Sequence, residues 1–251
     1  MDLTIGYLYA TGMNVYGDRG NILTLVQRCR WRGINVEVIE RGVGENSSLD
    51  RFDLLFAGGG QDRDQIAVSK DLQEDTGRAL IDAVEREVVV LTICGTYQLL
   101  GHSFKTGTGD VLPGLGIFDA STEAGPRRFI GDVIVDVRLA DGTLSLVGFE
   151  NHSGRTFLHS GAPLGTVLVG AGNNGDDRTE GASYKNAFGT YLHGPLLPKN
   201  PGFADHLIRL ALARRYGDVE LPSLDDRLEL AAHQAMIERI RRRGRVNSGV
   251  R

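Results

Sequence analysis

Thiols are scarce in this chain. Of its 251 residues only Cys29 and Cys94 are cysteine, too few for a disulfide framework and without a Cys-x-x-Cys pair. That excludes a disulfide-stapled secreted domain and fits a reducing compartment. Long apolar runs are missing too, and none approaches the roughly 20 residues that cross a bilayer. The opening Met1-Asp2-Leu3-Thr4-Ile5-Gly6 has neither the basic nor the long apolar part of a signal peptide. The expectation is therefore a cytoplasmic protein without a transmembrane segment. There is no basic excess. A formal net charge of -4 and a pI of about 5.9 argue against general nucleic-acid binding, which wants a basic face. No GxxxxGK[ST] phosphate loop occurs. Glycine, by contrast, is abundant: 34 residues, nearly double the usual ~7%. Many backbone positions are expected to need positive φ or close approach.

A strand–helix rhythm runs through the first hundred residues. Residues 3–9 read as a short apolar strand, followed by the polar loop Thr11-Gly12-Met13-Asn14-Val15-Tyr16-Gly17-Asp18-Arg19-Gly20-Asn21. Ile22, Leu25, Val26 and Cys29 follow at helical spacing, so Cys29 is expected to face the core without chemistry. Residues 34–39 and 52–57 read as a second and third strand. This order opens a doubly wound α/β sheet. The third strand ends in Gly58-Gly59-Gly60-Gln61-Asp62. Glycines there let backbone N–H groups approach a ligand at the edge where open α/β sheets bind ligands, although a tight turn would look the same. Residues 63–86 read as a helical stretch interrupted at Gly77.

Beyond Gly101 the texture changes. Residues 130–139 and 144–149 look like strands joined by a turn at Asp141-Gly142. Glu150-Asn151-His152-Ser153-Gly154-Arg155 reads as a polar loop. Ala187-Phe188-Gly189-Thr190-Tyr191-Leu192 is apolar and runs into His193-Gly194-Pro195. Residues 203–216 are amphipathic. Ser223 with Asp226 resembles a capping box, opening a helix that carries Leu224, Leu228, Ala231 and Ala235. That helix is expected to fray into a basic tail, Arg239 to Arg245, either solvated or touching anionic lipid or an acidic partner. The organisation expected is a main domain over residues 1–200, with a helical extension, residues 201–251, packed on it.

The chemistry gathers at Leu91-Thr92-Ile93-Cys94-Gly95-Thr96-Tyr97-Gln98-Leu99-Leu100-Gly101. A β-branched run before Cys94 reads as a buried parallel strand, and the segment after Gly95 has helical spacing. A strand turning sharply into a helix lifts a nucleophile clear of the sheet, and the helix's unpaired N–H groups favour a thiolate. A buried Cys acting as a small hydrophobe is the plainer alternative. Cys94 needs a proton shuttle, and His193 at a strand end is the best candidate. A tetrahedral intermediate needs N–H donors, which Gly95 and a glycine of the triplet, Gly59 or Gly60, would supply. Arg127-Arg128 offers a guanidinium for a substrate carboxylate, or else is a surface pair.

Ile93-Cys94-Gly95-Thr96-Tyr97-Gln98-Leu99-Leu100-Gly101 with Gly189-Thr190-Tyr191-Leu192-His193-Gly194 resembles the class I glutamine amidotransferases of the cobyric acid synthase type. Tyr16-Gly17-Asp18-Arg19-Gly20-Asn21 and Gly58-Gly59-Gly60-Gln61-Asp62-Arg63 are most similar to the branch of that family that serves lipid II amidation. The resemblance spans residues 3–197. It implies a flavodoxin-like, mostly parallel sheet flanked by helices, with added antiparallel strands and C-terminal helices. It implies that Cys94 attacks the side-chain amide of L-glutamine, that His193 protonates the departing ammonia, and that water hydrolyses the thioester. Gln98 would lie near the substrate and Arg128 would hold its α-carboxylate. The chain itself would carry no cofactor and no metal. ATP and Mg would be held by a Mur-ligase-like partner, MurT, in a heterodimer that amidates D-glutamate of the lipid II stem peptide. Lipid II would be reached through that partner, making the inner membrane face a second, peripheral location. A cobyrinate-type acceptor, or an unrelated α/β cysteine hydrolase, stays open as an alternative.

Two features depart from the wider family. A chain of this length is expected to leave no room for a fused synthetase domain. His193 is followed by Gly194-Pro195 where many relatives have His-x-Glu, so a third triad member is absent, comes from a loop such as that of Glu150, or comes from the partner, the source favoured here.

Overall fold

A computed structural model describes residues 1–45, 48–140 and 142–248; Asp141, half of the expected Asp141-Gly142 turn, lies outside the described residues. The first half runs β1 (Asp2–Leu8), α1 (Arg19–Trp31), β2 (Asn35–Arg41), β3 (Leu54–Ala57), α2 (Asp62–Leu72), α3 (Asp75–Glu85), β4 (Val89–Ile93) and α4 (Gly95–Leu99). The second half runs β5 (Ser103–Lys105), β6 (Val111–Pro113), β7 (Ala120–Leu139), β8 (Gly142–Leu158), β9 (Gly165–Val169), β10 (Thr179–Glu180), β11 (Ala182–Tyr184), β12 (Ala187–Thr190), α5 (Pro201–Tyr216) and α6 (Arg227–Ser248).

Two sheets result. The first has the order β2-β1-β3-β4-β12-β11, parallel except for β11 at its edge. β4 is buried from end to end, as a central strand covered on both faces must be. Each of its large apolar side chains contributes on the order of 1.5–3 kcal/mol by leaving water. One face of the sheet packs on α1 and α5 through Ile22, Leu25, Phe203, Leu207 and Ala211. The other packs on α2, α3 and α4 through Val68, Leu72, Leu80, Val84 and Leu99. The second sheet, β10-β9-β7-β5-β6 with β8 paired to β7, is built around one long hairpin. The carboxyl ends of β1, β3, β4 and β12 all point the same way, so the loops after them converge on one edge.

Several expectations are corrected by tertiary packing. The break in the stretch 63–86 falls at Gln73-Glu74, not at Gly77. Gly77 lies in the first turn of α3, where an added Cβ would stand 1.8 Å from the Leu72 carbonyl oxygen, so glycine lets α3 cross the end of α2. The helix after Cys94 is only five residues long, because the chain leaves at Gly101 to start the second sheet. Residues 150–155 are strand, not loop. Glu150 faces Gly131 and His152 faces Phe129 across the hairpin, and residues 150, 152, 154 and 156 are alternately buried. The period of two is there, but polar side chains carry it, so a hydrophobicity reading passes over it.

The Ser223–Asp226 capping box does not form. The Asp226 carboxylate accepts from Arg28 Nη1 at 2.8 Å and Nη2 at 2.7 Å instead, and α6 starts at Arg227. Leu228 is exposed, and α6 is held by Ile237 and Ile240 packed on Ile134 and Val147, so it runs on to Ser248 rather than fraying. Arg241 and Arg242 are exposed, while Arg239 faces Asp132 at 3.6 Å. Among the described residues no helix is long and apolar enough to cross a membrane.

Candidate active site

Cys94 sits between β4 and α4 with φ 52° and ψ -102°. That backbone is costly for any residue with a side chain and persists only where its surroundings enforce it. Here the Cys94 N–H donates to the Thr190 carbonyl at 2.8 Å, and its own carbonyl accepts from Gln98 N–H at 3.0 Å. Thr96 Oγ1 donates toward the carbonyls of Ala57 at 2.8 Å and Gly58 at 2.9 Å, stitching the start of α4 to the glycine loop. Gly95 packs so closely on Gln65 that a Cβ would lie 2.9 Å from its amide nitrogen.

His193 arrives on the chain leaving β12. Its backbone bridges to β8, donating to the Phe149 carbonyl at 2.8 Å and accepting from Phe149 N–H at 3.2 Å. The residue therefore sits where the two sheets meet, and it is fully buried. A Cβ on Gly59 would lie 2.9 Å from His193 Cε1 and 3.2 Å from Cys94 Cβ, so the thiol-bearing and imidazole side chains face each other across that glycine. The ring of Tyr16 stands edge-on to the imidazole, centroids 4.9 Å apart.

A third group stands beside the imidazole. Asp18, fully buried, places Oδ1 3.5 Å from His193 Nδ1, while its Oδ2 accepts from Gly59 N–H at 2.6 Å. Its loop reaches that position because Gly20 lies flat on Pro195, where a Cβ would come within 2.4 Å of the ring. Next to it Asn21 Oδ1 accepts from Leu197 N–H at 2.8 Å. Burial alone would push the imidazole towards neutrality. The negative charge of Cys94 and then the Asp18 carboxylate outweigh it and raise the His193 pKa to about 10. Glu180, fully buried on β10, accepts from Thr190 Oγ1 and Tyr191 N–H at 2.7 Å each, and burial lifts its pKa to about 7.

These groups open into a cavity of about 440 Å³ lined by Val15, Tyr16, Gly59, Gly60, Gln61, Arg63, Cys94, Arg128, Asn151 and His193. Arg128 is exposed on β7 next to a bulge, and its guanidinium is fixed by Asn151. Nε donates to Asn151 Oδ1 at 2.9 Å and Nη2 to the Asn151 carbonyl at 2.7 Å. Asn151 Nδ2 in turn donates to Tyr16 Oη at 2.7 Å. A larger cavity of about 640 Å³, near Leu115, Phe118 and Lys185, contains none of the expected site residues.

Cys94, His193, Gly59, Gly60 and Arg128 thus share one cleft, and Gly95 begins α4 beside it. Gln98 does not line the cleft. Its amide lies one layer deeper, accepting from Gln65 Nε2 at 2.8 Å and donating to Tyr191 Oη at 3.0 Å. The Gly59 N–H is committed to Asp18, so Gly60 and Gly95 are the amides left for an oxyanion as the backbone stands. Glu150 is not beside the imidazole, because its carboxylate accepts from the Ala171 and Gly172 amides at 2.9 Å each. His152 is buried and stacked on Tyr191, ring centroids 3.6 Å apart, away from the cavity lining. Sequence reasoning missed Asp18, Tyr16 and Asn151. The first two stood inside the motif Tyr16-Gly17-Asp18-Arg19-Gly20-Asn21, whose density of glycine and polar residues was the signal.

A parallel sheet with a cysteine elbow at its carboxyl edge defines an α/β enzyme of the class I amidotransferase kind. The chain belongs to the family of the CobB/CobQ-like glutamine amidotransferase domain, whose model matches residues 4–201. It is 42% identical over 241 residues to the lipid II isoglutaminyl synthase (glutamine-hydrolyzing) subunit GatD of Staphylococcus aureus (strain N315), covering 96% of this chain and 97% of that one. It is 40% identical over 227 residues to the GatD subunit of Streptococcus pneumoniae (strain ATCC BAA-255 / R6), covering 89% and 86%. Among solved structures, PurLQS from Thermotoga maritima superposes with a TM-score of 0.55 at 16% identity over 77% of this chain and 88% of that one, a likeness of fold alone.

Proposed function

We propose that this chain is the glutamine-hydrolysing subunit of a lipid II isoglutaminyl synthase. Cys94 Sγ attacks the side-chain amide carbon of L-glutamine, and the N–H groups of Gly60 and Gly95 receive the oxyanion. His193, carrying a proton, gives it to the departing ammonia. Water, deprotonated by the now neutral imidazole, cleaves the thioester to release glutamate and restore Cys94. The observation that supports this reading most is the facing of Cys94 and His193 across Gly59 at the mouth of a cleft that also holds Arg128. Ammonia then passes to a Mur-ligase-like partner, MurT, which holds ATP and Mg and amidates D-glutamate of the lipid II stem peptide. The near-full-length likeness to two GatD subunits supports that acceptor over a cobyrinate-type one.

The test is ammonia release from glutamine by the wild type, Cys94→Ser and His193→Ala, alone and co-purified with the partner. The complex is expected to turn over faster than the free subunit, and equal rates would remove the partner from the activation of the site. Arg128→Ala is expected to raise the glutamine KM by about 10- to 100-fold with kcat within a few-fold, since a bidentate carboxylate contact acts on binding before chemistry. Steady-state kinetics with glutamine, compared with a glutamine analogue lacking the α-carboxylate, reads this directly. An unchanged KM would take Arg128 out of the substrate site.

A further inference from the structure

We infer that Asn151 is a positioning residue for glutamine recognition: it grips Arg128 along one edge of the guanidinium, so that the other end is what meets the α-carboxylate. The inference deepens, and rests on, the reading of Arg128 as the group that binds that carboxylate.

The arrangement begins in the backbone. β7 and β8 pair along their length except between Ala124 and Phe129, where the register shifts. A bulge re-aims the side chains it carries, and Arg128 lies inside this one. Arg155 on β8 braces it: Nη2 donates to the Arg127 carbonyl at 2.6 Å, and the guanidinium lies over the Phe129 ring, 3.3 Å from its centroid. Asn151 stands opposite Ile130, just past the bulge. Its Oδ1 accepts from Arg128 Nε at 2.9 Å and its carbonyl from Nη2 at 2.7 Å. Those two donors form the lateral edge of a guanidinium, whose five N–H groups are fixed in one plane. With that edge held, the end formed by Nη1 and the second Nη2 hydrogen is left, and Nη1 has no partner among the described residues. Such an end is a fork that matches a carboxylate in bidentate fashion. Arg128 and Asn151 line the same cavity as Cys94 and His193.

The orientation of Asn151 is itself determined. Nδ2 donates to Tyr16 Oη at 2.7 Å. A half-turn of the amide would set Nδ2 against Arg128 Nε–H, donor against donor. Tyr16 holds its place on a left-handed backbone, φ 59° and ψ 23°, which an aromatic residue adopts only where its surroundings enforce it. An arginine on an exposed strand has many rotamers to lose on binding. One already held by two acceptors of a neighbouring strand has fewer, so glutamine meets a prepared site.

The test uses the complex with its partner. Asn151→Ala is expected to raise the glutamine KM by about tenfold with kcat within threefold. With 4-aminobutanamide, which lacks the α-carboxylate, kcat/KM is expected to stay within twofold of wild type. A merely structural role would lower both. The second measurement is glutamine affinity by calorimetry in the Cys94→Ser background. There Asn151→Ala is expected to weaken binding about tenfold when residue 128 is arginine, and less than threefold in Arg128→Lys, whose ammonium has no lateral edge for Asn151 to hold. Should Asn151→Ala fail to fold, Asn151→Thr, suited to a strand and too short to reach Nε, replaces it with the same expectations. An unchanged glutamine KM, equal losses on the two amides, or the same loss of affinity with arginine and lysine at 128 would overturn the proposal. Failure of the underlying reading looks different: wild-type complex that releases no Cys94-dependent ammonia, or that takes glutamine and 4-aminobutanamide with the same KM.

Discussion

Cys94→Ser is expected to lower ammonia release from glutamine by at least about 10³-fold while leaving the fold and glutamine binding intact. Serine fits the elbow. The strained φ of 52° is imposed by backbone bonds to Thr190 and Gln98 that do not depend on the sulfur. What is lost is the better nucleophile. A hydroxyl in the same place gives up its proton far less readily than a thiol, and the contribution of Cys94 to the raised His193 pKa goes with it. Cys29 is the internal control. Fully buried on α1, with burial driving its thiol up to about 12, it should not react with a glutamine-based electrophile. Intact-mass measurement after treatment with 6-diazo-5-oxo-L-norleucine is expected to show a single adduct in wild type and none in Cys94→Ser. Turnover by the serine variant within tenfold of wild type, or an adduct that persists in it, would end the nucleophile assignment.

The largest expected effect on stability lies far from the cleft. Arg28 on α1 is almost fully buried and donates to Asp205 Oδ1 at 2.6 Å and Oδ2 at 2.7 Å, and to Asp226 Oδ1 at 2.8 Å and Oδ2 at 2.7 Å. Arg32 adds a bond to Asp205 Oδ2 at 2.6 Å. One guanidinium thereby joins α1, α5 and the approach to α6. Arg28→Ala leaves two half-buried carboxylates facing each other with only Arg32 nearby, and breaking such a pair costs about 3 kcal/mol or more. The expected result is a fall in Tm by several degrees, measured by calorimetry or circular dichroism, with kcat per folded molecule unchanged. Acid should imitate part of this loss. Arg28 holds the Asp226 carboxyl below its ordinary range, so that contribution is complete above the ordinary carboxylate pKa and fades as pH falls through the lowered one. A variant as stable as wild type at neutral pH would show the cluster to be energetically neutral.

How much of this was legible beforehand can be read residue by residue. Cys94 stood out because a β-branched run ending in Cys-Gly is a local pattern, and the strand, turn and short helix it demands are decided within a dozen residues. His193 stood out because an apolar strand delivers it to the same sheet edge. The parallel sheet followed from the strand–helix order. Glu150 and His152 were misjudged as loop because their burial alternates without hydrophobicity, stabilised by a hairpin partner and by Tyr191, neither of which is a neighbour in the chain. The capping box at Ser223 was misjudged because Asp226 has a stronger claimant in Arg28, 198 positions away.

Local order, then, was enough to pick out the candidates for the chemistry: the elbow cysteine, the strand-end histidine and the glycine turn are each written in a few adjacent residues whose backbone preferences leave little choice. What surrounds and tunes them was decided by folding alone. Asp18 meets His193 across 175 positions of chain because Gly20 can lie against Pro195, and Arg128 is steadied by Asn151 because β7 and β8 form one hairpin. Side-chain charges act over a few ångströms of space, and only the packed chain sets which groups come within that reach.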